Sequence, residues 1–294
     1  MTAKWSEALW NVDLWPTLTV AEMLQQKPDA ARGTPIGLGD WRLVVEILLP
    51  ASPTSLWGEG LWNVAEWNSY AWSDITDDVR GLQWTRGSDE RYGRPRVGEL
   101  NLTMDNNART YDPWNPDTPL AGAFLAPGTI MRVGAVSPTD SRAGGWLPQF
   151  CGIVDRWTPS YTDPTGADRS AQITVLETLR DLAQIDDNKL PSPVGSGENA
   201  LARFERLLTA AAWRYGLLIE AQNVLSGAYA LQSTDMPGNR LAELYQVADS
   251  CDADFRTDRT GAAIVTNPEY IGTIGAADDR LLPLGEFSAS SGIH

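Results

Sequence analysis

Apolar and polar residues alternate along the middle of the chain. Leu100, Leu102 and Met104 are separated by Asn101 and Thr103, the period of two expected of a strand with one buried face. Val79, Leu82 and Trp84 predict an earlier strand ending at Gly87, and residues 130–136, 149–158 and 170–176 predict three more. The last two are joined through the turn Asp163-Pro164-Thr165-Gly166. Residues 43–50 form the most apolar run, strand-sized and interrupted by Glu46, so residues 40–49 predict a strand, and residues 17–24 fit a short helix. Asp105-Asn106-Asn107 breaks its strand, and two prolines stiffen Tyr111-Asp112-Pro113-Trp114-Asn115-Pro116. Pro127-Gly128 supplies a further turn.

Beyond residue 180 the period lengthens. In residues 199–214, Leu201, Phe204, Leu207, Leu208 and Ala211 share a helical face, with Ser196 and Gly197 as cap candidates. Residues 239–250 repeat the pattern with Leu241, Leu244, Tyr245 and Ala248, and Asn239 is placed to cap. Two short apolar runs then flank Asp258-Arg259-Thr260-Gly261, a hairpin signal. The expected fold is mainly β with a smaller α+β part. It comprises a Trp-rich extended N-terminal arm with one strand (1–73), a β-barrel or sandwich domain (74–180), an α+β domain of two helices and a hairpin (181–284) and a tail (285–294).

Tryptophan changes this picture. Eight of the 13 lie in the first 72 residues, and seven fall at steps of five: Trp5, Trp10, Trp15, then Trp57, Trp62, Trp67 and Trp72. A step of five suits neither helix nor strand, and Leu9-Trp10-Asn11-Val12 recurs as Leu61-Trp62-Asn63-Val64. Three readings stay open: anchors of an arm lying on a neighbouring subunit, local core, or sugar-stacking platforms. The irregular period, with Asn, Gly and Ser between anchors, suits the arm best.

Composition narrows the chemistry. The net charge of −15 argues against stable nucleic-acid binding, which needs a basic face. The single histidine is His294, so triads and His-ligated metal sites are not expected. Cys151 and Cys251 read as reduced, small apolar residues. No apolar run reaches membrane-spanning length, and residues 1–14 lack a signal-peptide core. Asp105-Asn106-Asn107 opens like a calcium loop but has Thr110 where glycine is needed and Pro116 where glutamate is needed. The acidic doublets Asp77-Asp78, Asp186-Asp187 and Asp278-Asp279 read as solvated surface. Arg86, Arg91 and Arg94, with Arg96, stand among Asp89 and Glu90, which suggests inter-subunit ion pairs. No catalytic residues, cofactor or metal are expected.

In order, these segments resemble one family, the minor tail proteins of long-tailed, siphovirus-type actinobacteriophages, of the tail-hub or distal-tail type. The resemblance rests on Trp72-Ser73-Asp74-Ile75-Thr76-Asp77-Asp78-Val79-Arg80, Trp84-Thr85-Arg86-Gly87 and Leu102-Thr103-Met104-Asp105-Asn106. Tyr111-Asp112-Pro113, Pro127-Gly128 and Phe150-Cys151-Gly152-Ile153-Val154-Asp155 follow. The Ala211-Ala212-Trp213 helix end and the hairpin at 258–261 complete it, over about residues 57–266.

The resemblance implies a non-enzymatic virion protein of the tail tip or baseplate hub, made in the host cytoplasm. It implies self-association into a ring that continues or closes the tail tube. Tail-tube, tape-measure and other tail-tip proteins are the implied partners. A ring of three copies is favoured over six by the helix pair. Three copies need a second barrel, for which residues 36–50 and 262–284 are the candidates. A six-copy distal-tail-type adaptor and a carbohydrate-binding adhesion protein are the alternatives, and a peptidoglycan hydrolase is a further one. The acidic charge leads to the expectation of carboxylates along the bore.

Overall fold

The structure, a computed structural model, describes residues 20–26, 28, 34–35, 41–50, 70–87, 96–112, 115, 128–137, 139, 145–161, 169–185, 197–219, 230–233 and 239–266. The first elements are α1 (Val20–Gln25), β1 (Thr34–Pro35), β2 (Arg42–Pro50), β3 (Tyr70–Asp74) and a 3-10 turn (Thr76–Asp78). Then come β4 (Val79–Gly87), β5 (Arg96–Asp105), β6 (Ile130–Val136), β7 (Trp146–Tyr161) and β8 (Arg169–Glu177). The C-terminal part holds α2 (Leu179–Gln184), β9 (Glu198–Asn199), α3 (Ala200–Ala210), β10 (Leu217–Ile219), β11 (Ala230–Leu231), α4 (Arg240–Ser250), β12 (Asp254–Thr257) and β13 (Ala263–Thr266).

Eight antiparallel strands form one sheet in the order β1-β2-β6-β7-β8-β5-β4, with β3 also paired to β2. β3 and β4 are consecutive in the chain yet sit on opposite edges of that sheet. Laid flat, six strand spacings of about 4.8 Å would hold them ~29 Å apart. The chain from Asp74 to Val79 reaches at most ~19 Å, five steps of about 3.8 Å. The sheet is therefore rolled into a barrel whose two edges are joined by residues 70–87. The link is fastened to β2: the Ile75 N–H donates to Val45 O (2.9 Å), and the Val45 N–H donates to Thr76 Oγ1 (2.9 Å).

Strand alternation fills the interior. Val45, Ile47 and Leu49 of β2, Leu100, Leu102 and Met104 of β5, and Met131 and Val133 of β6 point inward. Phe150 and Val154 of β7 and Ala171, Ile173 and Val175 of β8 join them in one buried cluster. These side chains fill the interior as one contiguous buried cluster. The barrel draws strands from both sides of residue 73, because β2 is an internal strand flanked by β6 and by β1 and β3.

The α+β part has its own core. Phe204, Leu207 and Leu208 of α3 and Leu244 and Ala248 of α4 pack with Leu179 and Leu182 of α2, Phe255 of β12 and Val265 of β13. Both long helices start at asparagine caps: Asn199 Oδ1 accepts the Ala202 N–H (2.7 Å), and Asn239 Oδ1 accepts the Ala242 N–H (2.9 Å). The cap of α3 is thus Asn199 rather than Ser196 or Gly197. β12 and β13 form the expected hairpin, and β10 pairs parallel to β13. β13 belongs to this separate three-stranded sheet while β2 belongs to the barrel, so their described residues do not build a second barrel together. No helix among the described residues is long and apolar enough to cross a membrane.

Candidate functional site

Part of the set that carries the family resemblance, Asp78, Asp105, Asn106, Tyr111 and Asp112, comes together at one end of the barrel. Asp105 ends β5, and its Oδ1 accepts the Asn107 N–H (2.9 Å). Asn107 Oδ1 in turn accepts the Arg169 N–H across to β8 (3.0 Å). Asn106 is buried, and its Oδ1 accepts the Tyr111 N–H (2.8 Å). The Oδ1 atoms of a would-be calcium loop are thus spent on backbone N–H groups of the turn and of β8. Arg109 takes a left-handed conformation (φ 58°), and its guanidinium grips the buried Asp112 carboxylate (2.7 Å). This brings Tyr111 back into the barrel core.

Tyr111 closes that end. Its ring packs 5.8 Å from Trp157, and its carbonyl accepts the Trp157 Nε1–H (2.9 Å). Its hydroxyl donates to Asp78 Oδ2 (2.6 Å), in the link between β3 and β4. Burial, then the Asp78 carboxylate, raises the phenol's pKa, so the hydroxyl stays a donor. Asp78 is thus bound to Tyr111 rather than purely solvated. The other expected member of this turn, Pro113, lies outside the described residues, as do the doublets Asp186-Asp187 and Asp278-Asp279.

Of the interface candidates, Trp5, Trp10, Trp15, Trp57, Trp62, Trp67, Arg91 and Arg94 also lie outside the described residues. Trp72 is described, and it packs within its own chain. Its Nε1–H donates to Met23 O at the end of α1 (2.9 Å), and its ring stacks on the Arg132 guanidinium, 4.0 Å from the centroid. Arg86 is likewise engaged within its own chain. It pairs with Glu177 and donates to the carbonyls of Thr257 (3.1 Å) and Asp258 (2.9 Å). This ion pair lies within the chain, because folding brings β8 and the C-terminal hairpin to the side of Arg86.

No protein-family model and no curated protein matches the chain. Among solved structures, it is similar to the 43 kDa tail protein of prophage MuSo2 from Shewanella oneidensis, at 13% identity over 76% of this chain, with a TM-score of 0.45. It is also similar to a tail protein from Neisseria meningitidis MC58, at 11% identity over 76% of this chain, with the same TM-score of 0.45. The chain spans about half the length of these proteins, 55% and 50% respectively.

A second polar centre lies on the outer wall of the barrel. Glu46 and Arg132 are direct cross-strand partners on β2 and β6, joined at 2.6 Å with both side chains buried. Arg132 also donates to Gln26 O (2.6 Å), closing the C-terminal end of α1. Burial lowers the pKa of this guanidinium, and Glu46 partly opposes that shift. Each of the two charges interrupts an apolar strand, and that shared oddity is the signal by which they could have been paired in the sequence.

Both cysteines are free and buried. Burial pushes Cys151 up to about 12 and Cys251 up to about 11, so neither thiol is a ready nucleophile. Among the described residues no three His, Cys, Asp or Glu side chains gather as a metal site. What the described residues offer is a rolled sheet with a packed interior, a plugged end and a pinned junction.

Proposed function

We propose that the chain is a structural, non-enzymatic protein of a phage tail, assembled as a hub-like ring at the tail tip. There it continues or closes the tube and serves assembly and genome passage. The observation that carries this reading is the unit formed by several of the resemblance residues. Residues 102–106, Tyr111 and Asp112 form one hydrogen-bonded plug on the end of a packed barrel. The tail proteins similar in fold are consistent with the reading and are not its basis.

In this reading the genome passes between copies, because each barrel interior is filled with side chains. Symmetry then supplies the channel. Every added copy brings another −15, which disfavours phosphate adhesion. A distal-tail-type ring of six is the second reading, favoured by the single barrel among the described residues. Sugar stacking is disfavoured at Trp72, whose ring is covered by Arg132.

Native mass spectrometry of the full chain, paired with immunogold labelling of phage particles, tests the proposal. Three or six copies and label at the tail tip are the expected result. A monomer with no label on particles overturns it.

A further inference from the structure

The α+β part meets the end of the barrel at its hairpin turn, and the polar contacts there converge on one barrel side chain. Arg86 stands near the end of β4. Its Nε–H donates to Glu177 Oε1, its Nη1 to Gln149 O (3.3 Å), and its Nη2 to Thr257 O (3.1 Å) and Asp258 O (2.9 Å). One guanidinium therefore ties β4, β7 and β8 to the end of β12. A guanidinium presents its donors as a rigid planar fork, so it can meet a carboxylate on one edge and carbonyls on another. An ammonium group cannot span both.

The seat for this fork is built into the barrel. The second oxygen of Glu177 accepts the Gly98 N–H (2.8 Å). A Cβ at position 98 would lie 2.6 Å from Glu177 Cδ, so glycine there lets the carboxylate settle against β5. The next residue, Thr178, donates its hydroxyl to Gly261 O on the far side of the same turn (2.7 Å). Gly261 (φ 90°) lies against Cys151, where an added Cβ would meet Sγ at 3.3 Å. The turn is itself preorganised, since Asp258 Oδ1 accepts the N–H groups of Thr260 (2.8 Å) and Ala262 (2.9 Å).

We infer that Arg86 is a latch: charge-balanced by Glu177, its guanidinium holds the Thr257 and Asp258 carbonyls and so fixes the C-terminal hairpin against the barrel. The latch joins residues 171 and 172 positions apart in the chain, so it forms only when both parts are folded. It holds whatever the chain assembles into, and it goes beyond the role proposed above.

Hydrogen exchange of the full-length chain tests it. The double variant Arg86→Met with Glu177→Gln removes both charges of the pair while keeping an acceptor for the Gly98 N–H. Amides of residues 254–266 are expected to exchange at least about tenfold faster, while those of 100–104 and 171–175 change less than about twofold. The single variant Arg86→Lys serves if the double variant does not fold, and a selective acceleration of about two- to fivefold is expected in the same hairpin. Unchanged exchange in residues 254–266, or equal acceleration in hairpin and barrel, overturns the latch.

Discussion

Over β2, β6 and the first half of β7, the outward residues of the barrel are covered by the chain itself. Leu48, Ile130, Cys151 and Ile153 lie beneath Met23, Leu24 and Tyr215, and Val44, Val136 and Trp146 form a smaller cluster beside them. Over β5 and β8 the outward residues meet water. Glu99, Asn101 and Gln172 are exposed, and Thr174 donates to Asn101 Oδ1 (3.1 Å) in a polar ladder. Both walls share one interior. The difference shows that inward residues make the strand, whereas outward residues record what lies on top of it. A wall covered on both faces reads as a near-continuous apolar run, and a wall covered on one face reads as alternation.

The covered wall also changes what a charge is worth. Replacing Glu46 with alanine leaves the Arg132 guanidinium buried without its carboxylate. Chemical denaturation is expected to show a loss of about 3–5 kcal/mol. A loss under about 1 kcal/mol would erase the distinction between the walls.

Two strand glycines provide a matched probe. A Cβ at Gly134 would lie 2.3 Å from Trp146 Cη2 and 2.6 Å from Leu147 O, whereas one at Gly81 would meet nothing within 4 Å. Gly134→Ala is expected to cost about 1–3 kcal/mol through overpacking. Gly81→Ala is expected to stabilise by up to about 0.5–1 kcal/mol through reduced unfolded-state freedom. Thermal melts that rank them the other way would break the comparison.

The smallest effect belongs to the exposed pair Arg80–Asp105 (3.2 Å), whose side chains keep 35% and 40% of their exposure. Arg80→Ala is expected to cost less than about 1 kcal/mol. The Asp105 carboxyl sits below its usual 3.8, chiefly because the Asn107 N–H donates to its ionised form, with Arg80 adding to the effect. A lowered folded-state pKa stabilises above the unfolded value and loses that contribution as acid titrates the folded group. Asp105 should therefore be more than half ionised at pH 3.8, as a carbon-detected NMR titration would show. A normal titration would dissociate the turn geometry from the charge.

Much of the barrel was legible because β5 alternates cleanly and because Asp105-Asn106 and Pro127-Gly128 mark turns. The helices were legible from their periods, and Asn239 from its place ahead of one. β3 was hidden, since Tyr70–Asp74 falls at the end of the tryptophan series, whose spacing dominates the pattern there. α2 has six residues, too few to display a period. The partners of Arg86 were beyond reach for a different reason: a lone cation beside local acids suggests local or intermolecular pairing, and nothing in the spacing points to Glu177 or the distant hairpin. Closure of the barrel was equally silent, because it depends on which edges β3 and β4 join.

That closing segment has a mechanical consequence. Residues 70–87 are bonded to β2 along their first part and to β5 along their second. Tension drawn along this stretch loads both ladders lengthwise, so the bonds of each must shear together rather than unzip singly.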